Sequence, residues 1–354
     1  MKFLCLIDSL ASGGAERQMS YLVRGLVRAG NKVTLVVFSD KDAFYKEYVS
    51  RSGVELIFDG KGFNKYRRIL RIVHWARKIK PDAVIAYKDG VTMAACMARI
   101  FSSFRLIVSE RNTTQTLTRY ERLKFWLYRF ADHIVPNSFS QKRFIDKHYP
   151  DLSGMTTVIT NALDTDSFEA TGEGSGTDRL VVVTTARVMS QKNVLRYLDA
   201  ILLLKQRGCR MAFRWYGYQS EPYFSQVKKK TAELDVGDMI EFYPAVKDVM
   251  DVYSNSDIFC LPSVYEGFPN VVCEAMSCRL PVVCGNVCDN GDIVEDGVNG
   301  FLFDPTDAAD IAATLERIAQ LSADDRRSMG AANREKIVGM CSTEAFIAKY
   351  MALI

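Results

Sequence analysis

The 354-residue sequence has no run of about 18 apolar residues, the length that a membrane-spanning helix requires. The short apolar segment before Asp8 is also too short for the core of a secretory signal peptide, and we interpret it as a buried strand. Nine prolines and 22 glycines are too few for a fibrous or largely disordered chain. We therefore expect a globular protein that stays in the cytoplasm.

Ligands for a metal ion are scarce. The chain has only three histidines, which leaves little for a histidine-based metal site or a catalytic triad. Four of its nine cysteines stand close together, at Cys273, Cys278, Cys284 and Cys288, but they lack the C-x2-C spacing of zinc sites. Most of them lie in apolar strings, where a reduced thiol behaves as a small hydrophobic side chain. We predict no metal site and no disulfide.

The net charge of +4 conceals an asymmetry between the two halves of the chain. Residues 1–170 contain 27 Lys and Arg against 17 Asp and Glu, whereas residues 171–354 contain 19 against 25. The first part thus carries an excess of +10 and the second an excess of −6. Such an asymmetry predicts that the first part meets an anionic partner, such as nucleic acid, lipid headgroups or phosphates.

Apolar strands alternate with amphipathic helices from end to end, a pattern typical of parallel sheets covered on both faces. The glycine-, serine- and threonine-rich stretch 169–179 is the best linker candidate. We predict an α/β protein with two Rossmann-like domains, residues 1–170 and 171–340, whose parallel sheets face each other across a ligand-binding cleft. A C-terminal helix at 341–354 is expected to pack back towards the first domain.

Two glycines, Gly13 and Gly14, separate the first predicted strand from the first predicted helix. They would let the backbone approach a ligand, and the helix start would offer N–H groups to an anion. The spacing is not G-x-G-x-x-G, and no acidic partner for a ribose ends the second strand, which disfavours nicotinamide binding. A plain turn between strand and helix is the alternative.

A second loop, with the sequence ARVMSQKN at 186–193, follows the first strand of the second half. It carries Arg187 and Lys192, two cations that could grip a diphosphate. An ordinary solvated loop is the alternative interpretation.

The most specific pattern is EGFPNVVCE, in which Glu266 and Glu274 are eight residues apart. Pro269 suits the first turn of a helix, so the helix should begin at 269–271 and present its N-terminus to an anion. Asn270 would share a helical face with Glu274. Since Glu274 interrupts an apolar string, it needs a polar partner, and sugar hydroxyls would serve. An exposed glutamate pair beside a turn is the alternative.

Taken in order, these segments resemble the retaining glycosyltransferases of family 4. The resemblance extends to NALDTDSF at 161–168 and EDGVNGFLFDPTD at 295–307, and thus covers the whole chain. It implies the GT-B fold, a nucleotide-sugar donor held mainly by the C-terminal half, and an acceptor met mainly by the N-terminal half. It implies no metal and no other cofactor.

The resemblance assigns roles to individual residues. Arg187 and Lys192 would neutralise the donor diphosphate, in the leaving group as well as in the ground state. Glu266 would bind hydroxyls of the donor sugar, and Glu274 the ribose. The donor-binding residues that the resemblance implies are Gly13, Gly14, Arg187, Lys192, Gly217, Val246, Phe268, Pro269, Asn270, Val271 and Glu274. In such enzymes the acceptor attacks on the face that the leaving group departs from, so no protein nucleophile is required.

The sequence departs from the family pattern in the N-terminal half. The family often carries a histidine near the reacting sugar, where this chain has Glu110 and Arg111. The acid–base role therefore stays open between Glu110 and no protein group at all. The glycine that usually follows the position of Asn161 is Ala162 here.

Two basic segments suggest what the first half meets. Residues 61–80 carry eight basic and no acidic residues, and residues 118–130 combine basic with aromatic side chains. Such surfaces suit an anionic bilayer, although the apolar residues could equally pack on the sheet. A nucleic-acid-binding protein is the alternative from another class, but no nucleic-acid-binding motif is present. A nucleotide-sugar epimerase or an inactive glycosyltransferase-like protein is the other alternative.

From these observations we predict a glycosyltransferase of hexosyl or N-acetylhexosaminyl type at the cytoplasmic face of the inner membrane. Its donor would be a nucleotide-diphosphate sugar, with UDP preferred to GDP. Its acceptor would be a polyprenyl-diphosphate-linked glycan in the assembly of a surface polysaccharide such as capsule or O-antigen. The sequence leaves the sugar, the linkage and the oligomeric state undetermined.

Overall fold

The computed structural model describes the whole chain except residues 42, 61–63, 113, 115, 171 and 173 and the side chain of residue 65. The chain forms two compact units. The first contains Met1–Ala162 together with Thr343–Ile354, and the second contains Leu163–Ser342.

The first unit is built on a six-stranded sheet. Its strands are β1 (Lys2–Ile7), β2 (Lys32–Val37), β3 (Glu55–Phe58), β4 (Ala83–Tyr87), β5 (Leu106–Glu110) and β6 (His133–Pro136). All neighbours are parallel, in the order β3-β2-β1-β4-β5-β6. Because helices cover both faces, the strands are nearly continuous apolar runs, and Phe3–Ile7 of β1 is fully buried. The connecting helices are α1 (Gly14–Arg28), α2 (Lys46–Ser50), α3 (Lys65–Ile79), α4 (Asp89–Arg99), α5 (Arg119–Tyr128) and α6 (Phe139–His148).

The second unit repeats this architecture. Its strands are β7 (Leu180–Thr185), β8 (Met211–Tyr216), β9 (Ile240–Tyr243), β10 (Ile258–Leu261), β11 (Val282–Gly285) and β12 (Gly300–Phe303). They too are all parallel, in the order β12-β11-β10-β7-β8-β9. The helices are α7 (Val194–Gln206), α8 (Tyr223–Glu233), α9 (Met250–Ser254), α10 (Asn270–Ser277), α11 (Asn290–Ile293), α12 (Ala308–Gln320) and α13 (Ala323–Cys341). The predicted α/β class with two Rossmann-like parallel sheets is confirmed.

The chain leaves the first unit after Ala162, earlier than the expected boundary at 170–171. Gln18 of α1 fixes this end point, because its amide Nε2 donates to the Ala162 carbonyl at 2.9 Å and its Oε1 accepts from the Ala162 N–H at 2.6 Å. The next residue, Leu163, donates its N–H to the carbonyl of Cys341 in the second unit. The predicted linker at 169–179 therefore belongs to the second unit, although its residues 171 and 173 lie outside the described part.

The last helix, α14 (Thr343–Met351), belongs to the first unit. Its Tyr350 hydroxyl lies 2.9 Å from the Tyr87 hydroxyl and accepts a hydrogen bond of 2.8 Å from Arg111. Arg111 also donates to the Asn161 amide oxygen at 3.0 Å, so one half-buried arginine connects α14 and the end of the first segment to the sheet.

Two longer helices, α6 and α13, were not expected. The buried face of α13 includes Gly330 and Asn333, so it lacks the continuous apolar stripe by which amphipathic helices are identified. Among the described residues, no helix combines the length and the apolar character needed to cross a bilayer.

Helix α13 contains a matched pair of glycines that tests its packing. A Cβ at Gly330 would lie 1.9 Å from the carbonyl oxygen of Arg279, whereas a Cβ at Gly339 would meet nothing within 4 Å. We expect Gly330→Ala to lower the free energy of unfolding by about 1–3 kcal/mol, because backbone has to move. Gly339→Ala should raise it by about 0.5–1 kcal/mol. Urea unfolding measures both, and two variants of equal stability would contradict the packing described.

Candidate active site

The residues predicted to bind a donor lie mostly at one edge of the second sheet. Parallel strands place all their carboxyl ends at the same edge, and β10 lies beside β7. The loop after β7, which carries Lys192, therefore meets the loop after β10, which carries Glu266.

Lys192 and Glu266 form an ion pair between the Lys192 ammonium and the Glu266 Oε1. Their side chains are only 12% and 10% exposed. Since a nearly buried charge requires a partner, each of them stabilises the other in this geometry. The structure thus brings together a cation predicted to grip phosphate and a carboxylate predicted to bind a sugar.

Neighbouring residues fasten the same loops to each other. Gln191 donates from Nε2 to the Tyr265 carbonyl at 2.8 Å, and its own carbonyl accepts the Val264 N–H at 3.0 Å. Asn193 connects the loop after β7 to a third loop, the one after β12: it adopts a left-handed conformation, with φ of 60°, and donates from Nδ2 to the Pro305 carbonyl at 2.7 Å. These contacts could not be predicted from the sequence, since neither residue type indicates a long-range partner.

Helix α10 begins at Asn270, within the predicted range, and Pro269 is its N-cap. Phe268 and Pro269 are buried, and Asn270 and Val271 are half-buried. An eight-residue helix thus starts directly after the loop that carries Glu266.

Glu274 lies one turn into α10 and is buried. The hydroxyl of the fully buried Tyr253 lies 3.5 Å from its Oε2 and 2.7 Å from the Thr185 hydroxyl at the end of β7. Burial, and after it the charge of Glu274, holds the pKa of Tyr253 well above its ordinary value of 10.0. Tyr253 therefore stays a neutral hydrogen-bonding group beside this carboxylate.

The remaining residues of the second unit that were predicted to bind the donor have no contact that points to a ligand among the described residues. Arg187 is exposed and, among the described residues, has no hydrogen bond or ion pair. A Cβ at Gly217 would lie 1.9 Å from the Ala186 carbonyl oxygen, so close backbone packing already requires a glycine there. Val246 is exposed. Contacts of these three residues with a donor stay predictions.

In the first unit, Gly13 is the N-cap of α1 and Gly14 its first residue. The carboxylate of Glu16 folds back over this end, since a Cβ at Gly13 would lie 2.3 Å from Glu16 Oε2. Ser9 and Lys88 both donate to Glu16 Oε1, at 3.1 and 2.5 Å. An internal carboxylate thus lies where the sequence suggested an external anion, and binding by Gly13 and Gly14 stays a prediction.

Glu110, the acid–base candidate, lies at the end of β5 and is fully buried. Its Oε2 lies 2.9 Å from the Lys124 ammonium and accepts from the Tyr128 hydroxyl at 3.2 Å. The same ammonium contacts Glu121 at 2.7 Å and Asp89 at 3.8 Å. Burial raises the pKa of Glu110 to about 7, although the charge of Lys124 acts to lower it.

No three His, Cys, Asp or Glu side chains of the described residues come together in a way that could hold a metal ion. That the reaction needs no metal stays a prediction.

Comparison with known proteins identifies the family. The sequence model described as Glycosyltransferase Family 4 matches residues 12–167, and the one described as Glycosyl transferases group 1 matches residues 167–336. The chain is 39% identical over 313 residues to an uncharacterized glycosyltransferase of Haemophilus influenzae, which covers 86% of each chain. This chain belongs to glycosyltransferase family 4. The resemblance inferred from the motifs is confirmed.

One further relative of this family 4 protein and one solved structure match nearly its full length. The relative is an α-1,4-N-acetyl-D-galactosaminyltransferase of Campylobacter jejuni whose name specifies an undecaprenol-PP-linked glycan. It is 23% identical over 334 residues, and the match covers 90% of this chain and 89% of the Campylobacter protein. The solved structure is the crystal structure of Anabaena Alr3699/HepE in complex with UDP, with a TM-score of 0.84, 18% identity and 99% coverage of both chains. The latter likeness concerns the fold, and agrees with the GT-B class that was expected.

The buried carboxyl of Glu110 predicts a pH dependence of stability in the family 4 chain. Its folded pKa of about 7 exceeds its ordinary value of 4.5, so between these values the native state holds more protons than the unfolded state. The free energy of unfolding should therefore fall as the pH rises from 4.5 to about 7, and this contribution should be constant above that. Glu110→Gln should remove this part of the pH dependence in urea unfolding at about pH 5 and about pH 8. Glu335→Gln, at an exposed position on α13, is the control; identical pH profiles for both variants and the unmodified chain would contradict the assignment.

Proposed function

We propose that this glycosyltransferase moves a sugar, with retention of anomeric configuration, from a nucleotide-diphosphate donor to a glycan acceptor in bacterial polysaccharide biosynthesis. The observation that carries the proposal is the nearly buried ion pair of Lys192 and Glu266, directly before helix α10. It brings to one sheet edge the cation proposed to bind phosphate, the carboxylate proposed to bind the sugar, and a helix N-terminus.

The donor diphosphate would lie against Lys192, with exposed Arg187 turned onto it from the same loop. Arginine offers a bidentate fork and lysine a compact point charge, and both stabilise negative charge as it grows on the leaving group. The N-terminus of α10 adds its dipole and its N–H groups. With two cations and a helix dipole on the diphosphate, the proposed reaction needs no divalent metal.

The transferred sugar and the ribose would each be bound by one of the two carboxylates. Glu266 would accept hydrogen bonds from hydroxyls of the transferred sugar, and Glu274 from those of the ribose. When a diphosphate attracts Lys192 away from Glu266, the Glu266 carboxylate needs new partners, and the sugar hydroxyls provide them. The diphosphate and the sugar are therefore both needed to replace the internal ion pair. The backbone around Phe268 and Val271 would line the same pocket, with Gly217 and Val246 towards the base.

The chemistry proposed for this site needs no protein nucleophile. The acceptor hydroxyl oxygen would bond to the anomeric carbon on the face from which the diphosphate leaves, while the bond from that carbon to the phosphate oxygen breaks. The acceptor proton would pass to the departing diphosphate. Glu110 takes no part in this scheme, because it is fully buried and bonded to Lys124.

We infer that the donor nucleotide is UDP. The support is the UDP in the Anabaena complex, which shares this fold. An N-acetylhexosamine is the first sugar to test, because the Campylobacter relative is named for one. The same name motivates a polyprenyl-diphosphate-linked acceptor.

A lipid-linked acceptor would bring the first unit to a bilayer, and helix α5 has a surface suited to one. Tyr120, Leu123 and Trp126 are each 47–52% exposed on this helix, whereas Phe125, Leu127 and Tyr128 pack inward. Arg119 and Arg122 of the same helix are exposed, as is Arg129, the residue that caps its C-terminus. Exposed aromatic and aliphatic side chains among arginines suit the interface of an anionic membrane.

The donor site is tested by variants of its ion pair. Glu266→Gln and Lys192→Met should each reduce sugar transfer by about 10²–10³-fold, the scale of losing one group that stabilises the transition state. Release of nucleoside diphosphate in the presence of a polyprenyl-linked acceptor measures the rate, after a thermal-shift screen of UDP- and GDP-sugars has identified the donor. Product analysis separates transfer from epimerisation.

The matched control is Lys205→Met, at a lysine on α7 that pairs with Asp235 and Asp238. It should keep the rate of the unmodified protein. Thermal melting verifies that each variant is folded. Rates near those of the unmodified chain for both Glu266→Gln and Lys192→Met would refute the proposed site.

The membrane surface is tested separately. Leu123→Glu and Trp126→Glu should each weaken binding to vesicles containing phosphatidylglycerol by at least about tenfold, because burying either side chain contributes roughly 1.5–3 kcal/mol. Sedimentation with vesicles measures the effect, and uncharged phosphatidylcholine vesicles test the role of the arginines. Val338→Glu, at an exposed apolar residue of α13, is the control. Unchanged binding by both α5 variants would exclude this surface.

A further inference from the structure

We infer that Gln191 is a positioning residue that sets the orientation of Glu266 and thereby couples recognition of the donor diphosphate to recognition of the donor sugar. The inference rests on the proposed function of the site. Gln191 itself is not proposed to touch the donor.

The geometry assigns this role to the side chain. Its Nε2 donates to the Tyr265 carbonyl at 2.8 Å, and that carbonyl belongs to the peptide group whose nitrogen is that of Glu266. Because a peptide group is planar, fixing its oxygen fixes the direction in which the Glu266 backbone begins. The backbone carbonyl of Gln191 accepts the Val264 N–H at 3.0 Å, so the main chain and the side chain of Gln191 both contact the same loop.

The position of Gln191 in the chain explains the coupling. The next residue is Lys192, whose ammonium contacts the Glu266 carboxylate, so two consecutive residues of one loop contact two consecutive residues of the other. Within this loop Val264 is exposed and Tyr265 only half-buried, so apolar packing contributes little at these two residues. The hydrogen bonds with Gln191 are the contacts that hold their backbone.

A hydrogen-bond donor is what the position requires. Gln191→Met keeps the length of the side chain but removes the donor, and Gln191→Glu keeps the shape but replaces the amide with an acceptor. Both should leave the backbone bond from Val264 intact. If either variant is poorly folded, the other still tests the inference.

The test separates binding of the whole donor from binding of UDP. Calorimetry would measure the affinity for UDP and for the best-binding member of a panel of UDP-glucose, UDP-galactose and their N-acetylamino derivatives. Gln191→Met should weaken UDP-sugar binding about three- to tenfold, the effect of losing one hydrogen bond, and change UDP binding by less than about twofold. Glu266→Gln should show the same selective loss. The double variant should bind the UDP-sugar no more weakly than Glu266→Gln alone, because one residue acts through the other.

Ser190→Ala, at an exposed position in the same turn, is the control and should change neither affinity. The inference would be overturned if Gln191→Met weakened the binding of UDP and of the UDP-sugar equally, or if the losses of affinity added in the double variant. A merely structural role of Gln191 predicts both results. If Glu266→Gln selectively weakened UDP-sugar binding and neither Gln191 variant did, the inference about Gln191 would be overturned. The proposed donor site would still stand. An unchanged Glu266→Gln would overturn the donor site and this inference together.

Discussion

The pairing of β7 with β10 is the contact on which the candidate site depends. Val182 and Val183 lie opposite Ile258 and Phe259, all of them buried. This register brings together the ends of two strands that are some seventy residues apart in the chain, and with them the loops that carry Lys192 and Glu266. The driving force is burial of apolar side chains on both faces of the sheet, which is non-directional. The polar contacts of Gln191, Lys192 and Asn193 then select one arrangement of the loops.

Electrostatics is the physical reason for proposing that this arrangement binds a donor with both a diphosphate and a sugar. Removing Lys192 and Glu266 from water is costly, and their mutual attraction compensates only while they remain in contact. A ligand that offered phosphate alone would attract Lys192 and leave Glu266 nearly buried and unpaired. A ligand with hydroxyls beside its diphosphate satisfies both groups. If Lys192 and Glu266 bind the donor as proposed, their ion pair favours the intact nucleotide sugar over its parts.

The fold class and the positions of the motifs could be predicted because parallel strands are continuous apolar runs and the loops after them carry the polar chemistry. The domain boundary could not be predicted from the sequence. It depends on the hydrogen bonds between the Gln18 side chain and the backbone of Ala162, and these residues are 144 positions apart. Helix α13 was missed since Gly330 and Asn333 occupy its buried face. For Gly217, the family resemblance implied a contact with the donor, whereas packing against Ala186 already accounts for the glycine. Local sequence patterns identify residues that have a particular role, and the tertiary contacts show what that role is.

The first unit bears on the question of where the acceptor proton goes. At the end of β5, where many members of the family carry a histidine, this chain has Glu110 and Arg111. Arg111 is engaged by Asn161, Tyr87 and Tyr350, and Glu110 is fully buried against Lys124. A general base must come within hydrogen-bond reach of the proton that it removes, and a carboxylate with no exposed surface does not. The leaving diphosphate meets that condition in the proposed reaction, since it departs from the face on which the acceptor arrives. In the proposed reaction Glu110 and Arg111 would therefore have a structural role, and the departing diphosphate of the donor would accept the proton.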